Sequence, residues 1–519
     1  MRPGRLRLRR LTPAALVAAL LLAATAGGQV LDWPREAPPP PLPAKEVDFP
    51  PYEIRTLANG LQVVTVLHHE QPVVSLRLLV RAGSAYDPPG KAGLASLVSS
   101  LLDQGTTTRT AEEIADTIDS IGGGLGSGAG SDVTFTSVLV MKDGFDFGLD
   151  LLSDVVRNPA FRREELDRQR EQIFSGLKDA YEDPDYVAGL VFDRLVYGFH
   201  PYGMPSTGTP ESLQSITPAD LHAFHRTYFA PNNAILAVVG DVTTEQAFKG
   251  AERVFGSWER RQVPDPAATE EPPPPARRVI VVNKPDAVQT EVRVGHLGIP
   301  RKHEDFLALD LAVKILGGEG GNRLQRVLRS ERGLTYGASA EMQALKRAGD
   351  IMADTDTRSE ATTEVLRTIV DEFSRLRRER VHPRELRDAQ AYLAGSFPLS
   401  IETPSAIAAQ VLNALFYELP LAEIETYRER INAVSPDDIQ RVARQYLKPD
   451  RLSVVLVGNA AVFTPRLEGI GFGEFEVVEL SELDLTAVDF RRSAPTGTAP
   501  VEPALRAPLA GSPFFKPLR

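Results

Sequence analysis

The sequence predicts an α+β protein built from two copies of one unit. Three observations carry that prediction: a repeat between the halves, short β-branched runs alternating with longer helical patterns, and a proline-rich break between the copies. Ser215 opens SITPADLHAFHRTYFAPNNAILAVVGD, and Ala433 opens AVSPDDIQRVARQYLKPDRLSVVLVGN. Pro218 pairs with Pro436, Asp220 with Asp438, Tyr228 with Tyr446, Pro231 with Pro449 and Gly240 with Gly458, all at an offset of 218. FRREEL at Phe161 and VHPREL at Val381 form a second pair. Each Thr/Ser-Pro-x-Asp run reads as a helix start, with the hydroxyl as N-cap and proline at the first helical position. A duplicated unit of roughly 200 residues is an ordinary domain size.

In chain order, MRPGRLRLRR is a basic opening, LTPAALVAALLLAA an apolar core and Ala24-Thr25-Ala26 an A-x-A cleavage site. Residues 1–26 are therefore expected to be a secretory signal peptide, since the apolar run is shorter than the ~20 residues a membrane span needs. That implies export, to the periplasm if the source is Gram-negative, and no later stretch is long and apolar enough to span a bilayer. Residues 27–50 are a proline-rich leader. ANGLQVVTV and VVSLRLLVRAGS read as strands, the first entered through an Asn-Gly turn. A helix follows at 93–106, and a second from Thr110 to Ile121. IGGGLGSGAGSD has no lysine and no Walker spacing, so it is expected to be a flexible connection into the strand VTFTSVLVM rather than a phosphate cradle.

Helices dominate from Gly144 to Tyr228. The first domain is placed at 51–261, an acidic, proline-rich linker at 262–277, the second domain at 278–479 and a disordered tail at 480–519. The net charge of −11 argues against a nucleic-acid surface, and the absence of cysteine excludes disulfides and thiolate metal sites. His222 and His225 in HAFH have a metal-compatible spacing, but no third ligand accompanies them and they read as surface histidines. His68-His69, in a turn between strands, reads the same way.

The helix at 93–106, GLASLVSSLLDQGT, buries Leu94, Leu97, Val98, Leu101 and Leu102 at helical spacing, while Ser96, Ser99 and Ser100 share another face. With its flanks AGSAYDPPGKA and GTTTRTAEEIADTIDSIGG, it resembles the metal-binding helix of the pitrilysin/insulinase family. That helix carries H-x-x-E-H, two zinc-binding histidines and a glutamate that activates water. On this pattern Ser96 and Ser100 stand in for the histidines and Ser99 for the glutamate. In LDRQREQIFSGLKDAYEDP, Gly176 falls on the family's third ligand and Gln169 on an earlier acidic residue. Hydroxyls are poor zinc ligands, and glycine and glutamine bring no carboxylate. The expectation is a pitrilysin-like fold, in two homologous domains of mostly antiparallel sheet packed with helices, with no metal and no complete catalytic set in this chain. A serine nucleophile has no G-x-S-x-G elbow and no histidine on its helix.

RLQRVLRSE reads as a helix ended by Gly333, and GLTYGASAEM as a turn into a strand. Together they resemble the family's R-x6-Y signature, with Arg329 and Tyr336 at its two positions. The resemblance implies that this pair hydrogen-bonds the carbonyls of a peptide substrate and that the tyrosine helps to stabilise an oxyanion. Some family members are heterodimers in which one subunit supplies zinc and the other Arg and Tyr. The implied role is thus a non-catalytic, substrate-binding subunit of an exported zinc metallopeptidase for unfolded peptides. The zinc would be expected in a homologous partner subunit. The alternative is a structural or chaperone-like peptide-binding protein with no part in proteolysis.

Overall fold

The computed structural model describes residues 49–264, 271–318 and 321–492. The expected signal peptide, most of the leader, the middle of the linker and the tail beyond Arg492 lie outside the described residues. The first half runs β1 (Tyr52–Thr56), β2 (Gln62–Leu67), β3 (Val73–Val80), α1 (Leu94–Leu101), α2 (Ala111–Ser120), β4 (Gly124–Ala129), β5 (Thr134–Met141), α3 (Phe145–Arg157), α4 (Arg163–Ala180), α5 (Pro184–Tyr197), α6 (Pro210–Ser215), α7 (Pro218–Tyr228), β6 (Ala234–Gly240) and α8 (Thr244–Phe255). The second runs β7 (Arg278–Asn283), β8 (Gln289–Leu297), α9 (Phe306–Gly317), a π-helical turn (Gln325–Glu331), β9 (Ala338–Ala344), β10 (Gly349–Arg358), α10 (Thr362–Arg378), α11 (Pro383–Ser396), α12 (Pro404–Phe416), α13 (Ala422–Glu425), α14 (Tyr427–Ala433), α15 (Pro436–Tyr446), β11 (Ser453–Gly458), α16 (Ala460–Leu467) and β12 (Glu476–Glu479).

The strands form two six-stranded sheets, ordered β1-β2-β6-β3-β5-β4 and β12-β7-β11-β8-β10-β9. Pairing is mostly antiparallel, as expected, but β6 lies parallel to β2, and β7 lies parallel to both β11 and β12. The central strands AILAVVG and SVVLVG are buried at every position, which is why they read as unbroken apolar runs. The repeated helix starts are capping boxes: Thr217 with Asp220 on α7, and Ser435 with Asp438 on α15.

One face of each sheet packs on helices of its own half, as where Leu76, Leu78 and Val138 meet Leu97, Val98 and Leu149. The opposite faces exchange helices. Val187, Val191, Phe192 and Leu195 of α5 pack on Ile280, Val282, Val455 and Val457 of the second sheet. Ile407, Val411 and Leu412 of α12 pack on Val64, Val66, Ile235 and Val239 of the first. Each such fully buried side chain contributes roughly 1.5–3 kcal/mol. Hydrogen bonds close the seam: Tyr197 donates to Asp350 (2.6 Å), Tyr202 donates to Asp132 (2.6 Å), and Asp132 accepts the Lys346 N–H (3.1 Å). Burial pushes the Asp350 carboxyl up to about 7.

Four expectations are corrected. The glycine-dense stretch after Ile121 is not a flexible connection: Gly124–Ala129 is edge strand β4, hydrogen-bonded to β5. Its low β-propensity is outweighed by pairing along β5. Packed structure continues past Leu480, because Leu483, Leu485 and Phe490 are buried against the seam. His225 is a core residue, its Nε2 bonded to the Val156 carbonyl (2.7 Å) and its ring beside Phe161 and Phe229. His68 is likewise buried, beside an exposed His69.

Candidate functional site

Helix α1 is the centre of the first candidate site. Its amino end is fixed by Asp87, whose carboxylate accepts N–H bonds from Gly93 (2.9 Å), Leu94 (3.2 Å) and Ala95 (2.9 Å). Burial pushes that carboxyl up to about 7, while the three N–H donors pull it down. Gly93 has φ of 91°, and a Cβ there would fall 2.8 Å from the Thr207 carbonyl, so glycine is required at the helix entry. The helix packs against α4 and α7 and touches edge strand β4.

All three serines are engaged locally. Ser96 Oγ donates to the Ser206 carbonyl (2.6 Å), Ser99 Oγ to the Ser96 carbonyl (2.8 Å) and Ser100 Oγ to the Leu97 carbonyl (3.1 Å). Ser99 is 3% exposed. On α4, Gln169 is half-buried, and Gly176 faces open space, with no atom within 4 Å of where a Cβ would stand. Hydroxyls that donate to backbone carbonyls have no base to activate them, so the arrangement is not that of a serine nucleophile. Among the described residues no three His, Cys, Asp or Glu side chains gather into a possible metal site.

The second candidate site lies at the entry to β9. Arg329 sits on the π-helical turn, which ends in a Schellman-type cap: the Leu334 N–H reaches the Leu328 carbonyl (2.8 Å), and Gly333 has φ of 62°. From there the chain turns outward through Tyr336, which is 82% exposed. The Arg329 guanidinium lies over the Tyr336 ring, 4.7 Å from its centroid. Sequence spacing placed the two residues on either side of Gly333, and the fold brings them together.

The residues that hold this loop were not visible in the sequence. Thr355 donates to the Gly337 carbonyl (2.7 Å) and Thr357 to the Leu334 carbonyl (2.7 Å). Gln325 accepts the Ala338 N–H (3.0 Å). Arg323 grips Glu385 through two bonds of 3.1 and 2.9 Å and ties the start of the π-helical turn to α11. The exposed Arg–Tyr pair is thus mounted on a rigid base, which suits recognition of a polar group brought to the surface.

This fold and its degenerate helix site define the class. The chain belongs to the insulinase family, peptidase family M16. Residues 62–203 match the insulinase (peptidase family M16) profile, and residues 215–393 match that of the peptidase M16 inactive domain. A solved peptidase M16 inactive domain from Pseudomonas fluorescens is 30% identical, covering 78% of this chain and 98% of that one, with a TM-score of 0.74. A solved protease from Helicobacter pylori is 25% identical, covering 79% of this chain and 99% of that one, with the same TM-score of 0.74. The uncharacterized zinc protease YmxG of Bacillus subtilis is 26% identical over 400 residues, which cover 76% of this chain and 95% of the relative.

The family's zinc does not fit the residues present. Three hydroxyls already bonded to main-chain carbonyls and an exposed glycine supply no imidazole or carboxylate to a metal.

Proposed function

We propose that this chain is an exported, non-catalytic subunit of an insulinase-family zinc metallopeptidase, pairing with a homologous subunit that carries the zinc. The observation that carries the reading is the contrast between the two candidate sites. The metal-ligand positions hold locally satisfied serines, whereas Arg329 and Tyr336 stand together, exposed, on a pinned loop. In that role the pair hydrogen-bonds the backbone of an unfolded peptide, and edge strand β4 offers the unpaired side of a sheet to which an extended peptide adds. The basic opening, apolar core and A-x-A site of residues 1–26 support export.

The same fold recurs within a longer chain. The periplasmic protease PqqL of Escherichia coli shares it at 16% identity and a TM-score of 0.67, and this chain covers 48% of that chain. One polypeptide about twice as long therefore contains the architecture described here within half its length. The test is hydrolysis of a quenched peptide library by the purified chain alone and mixed with a zinc-bearing family member, each with and without chelator. Chelator-sensitive cleavage only in the mixture is expected. Tyr336→Phe should lower kcat of the mixed complex by about 10²–10³-fold, the cost of losing one oxyanion donor, while assembly is unchanged. Cleavage by the chain alone, or undiminished turnover of an assembled Tyr336→Phe complex, refutes the role. Activity in neither sample moves the weight to a binding protein with no part in proteolysis.

A further inference from the structure

Helices α9, α11, α12, α13 and α14 of the second half line an open-mouthed cavity of about 330 Å³, at the small end of the range for ligand pockets. Two opposite charges face it: Arg301, just before α9, and Asp310 on α9. The Arg301 guanidinium lies over the Phe306 ring, 3.9 Å from its centroid. Among the described residues neither Arg301 nor Asp310 forms an ion pair or a side-chain hydrogen bond. The other two charges on the cavity wall, Glu423 and Arg430, are joined to each other at 2.8 Å. Burial holds the Asp310 carboxyl above its ordinary range, with Lys314 and Arg301 pulling it back. Glu423 and Asp310 act on the Arg301 guanidinium only through space, without a hydrogen bond to it. Half-buried charges with no directly bonded counter-charge are costly, and a ligand that brings both complementary charges satisfies them together. Much of the remaining wall is apolar and aromatic, with Phe397 stacked on Tyr427 at 4.7 Å.

We propose that this cavity binds a free amino acid with an apolar side chain, its carboxylate on Arg301, its ammonium on Asp310 and its side chain against the Phe306 and Phe397 wall. The site is separate from the Arg329–Tyr336 pair and does not depend on the peptidase reading. The test is thermal shift and calorimetry on the purified chain with four probes: L-phenylalanine, L-leucine, N-acetyl-L-phenylalanine and L-phenylalaninamide. The two free amino acids should raise Tm and bind, and the two blocked derivatives should not. Asp310→Asn and Arg301→Gln should each weaken L-phenylalanine binding by about ten- to a hundred-fold, the worth of one charge-assisted hydrogen bond. Binding by neither free amino acid overturns the proposal. So does equal binding of the blocked derivatives, or an Asp310→Asn chain that binds as the parent does. If Arg301→Gln does not fold, the near-isosteric Asp310→Asn decides between these outcomes.

Discussion

Replacing Phe192 by alanine tests whether the exchanged helices hold the two halves together. Phe192 lies on α5 in the first half of the chain, is fully buried, and packs among residues of the second sheet. Its ring tip comes so near Gly295 of β8 that a Cβ there would stand 2.8 Å from Phe192 Cζ. Truncating a phenylalanine in such a setting costs about 3–5 kcal/mol from lost transfer energy and the cavity left behind. That is roughly two to three and a half orders of magnitude in the folding equilibrium, at about 1.4 kcal/mol per factor of ten. The measurement is amide hydrogen exchange read by mass spectrometry, with Trp258 fluorescence as a second probe of the first half. Because the ring supports the second sheet, β8 and β11 should lose protection although the substitution lies far from them in sequence. Faster exchange confined to the first half, with β8 and β11 unchanged, would show that the seam does not couple the halves.

Two further outcomes follow from local features. Gly176→Ala on α4 should raise stability by about 0.5–1 kcal/mol, since an exposed helical glycine with open space around it gains from a methyl group; a lower denaturation midpoint would contradict that geometry. His225 is held down to about 4 by burial, and the nearby Arg261, His222 and Arg226 charges add to the effect against its bond to Val156. The unfolded chain takes up that proton near pH 6.5 and the folded chain does not, so the contribution is present above about 6.5 and lost as pH falls toward 4. NMR titration should find the His225 ring neutral at about pH 5.5, between those two values, and a protonated ring there would refute the assignment.

The sequence made the duplication legible because Pro218, Asp220 and Gly240 and their counterparts serve local geometry: helix caps, first turns and strand ends. The strands AILAVVG and SVVLVG were equally plain, since burial on both faces leaves no polar alternation to confuse. The exchange of α5 and α12 was not legible. An amphipathic pattern says that one face of a helix is buried, not which sheet buries it. Strand β4 was missed because glycine carries almost no strand signal, although Gly124, Gly126 and Gly128 do alternate with Leu125, Ser127 and Ala129. His225 was misplaced because its environment comes from Val156 and Phe161, far away in the chain. At the sites, the positions of Ser96, Ser99, Ser100, Arg329 and Tyr336 were readable, but the partners that satisfy or pin them were not. Ser206, Thr355 and Thr357 are tertiary neighbours with no spacing to announce them.

The exchanged helices also change what the connection between the halves does. Each half carries the piece that covers the other's sheet, so the packing itself specifies how the two copies dock. The covalent join sets their effective concentration, turning what would be a bimolecular encounter into an intramolecular one. Such a join is free to be long, proline-rich and variable in sequence, because its length alters the closure entropy only slowly.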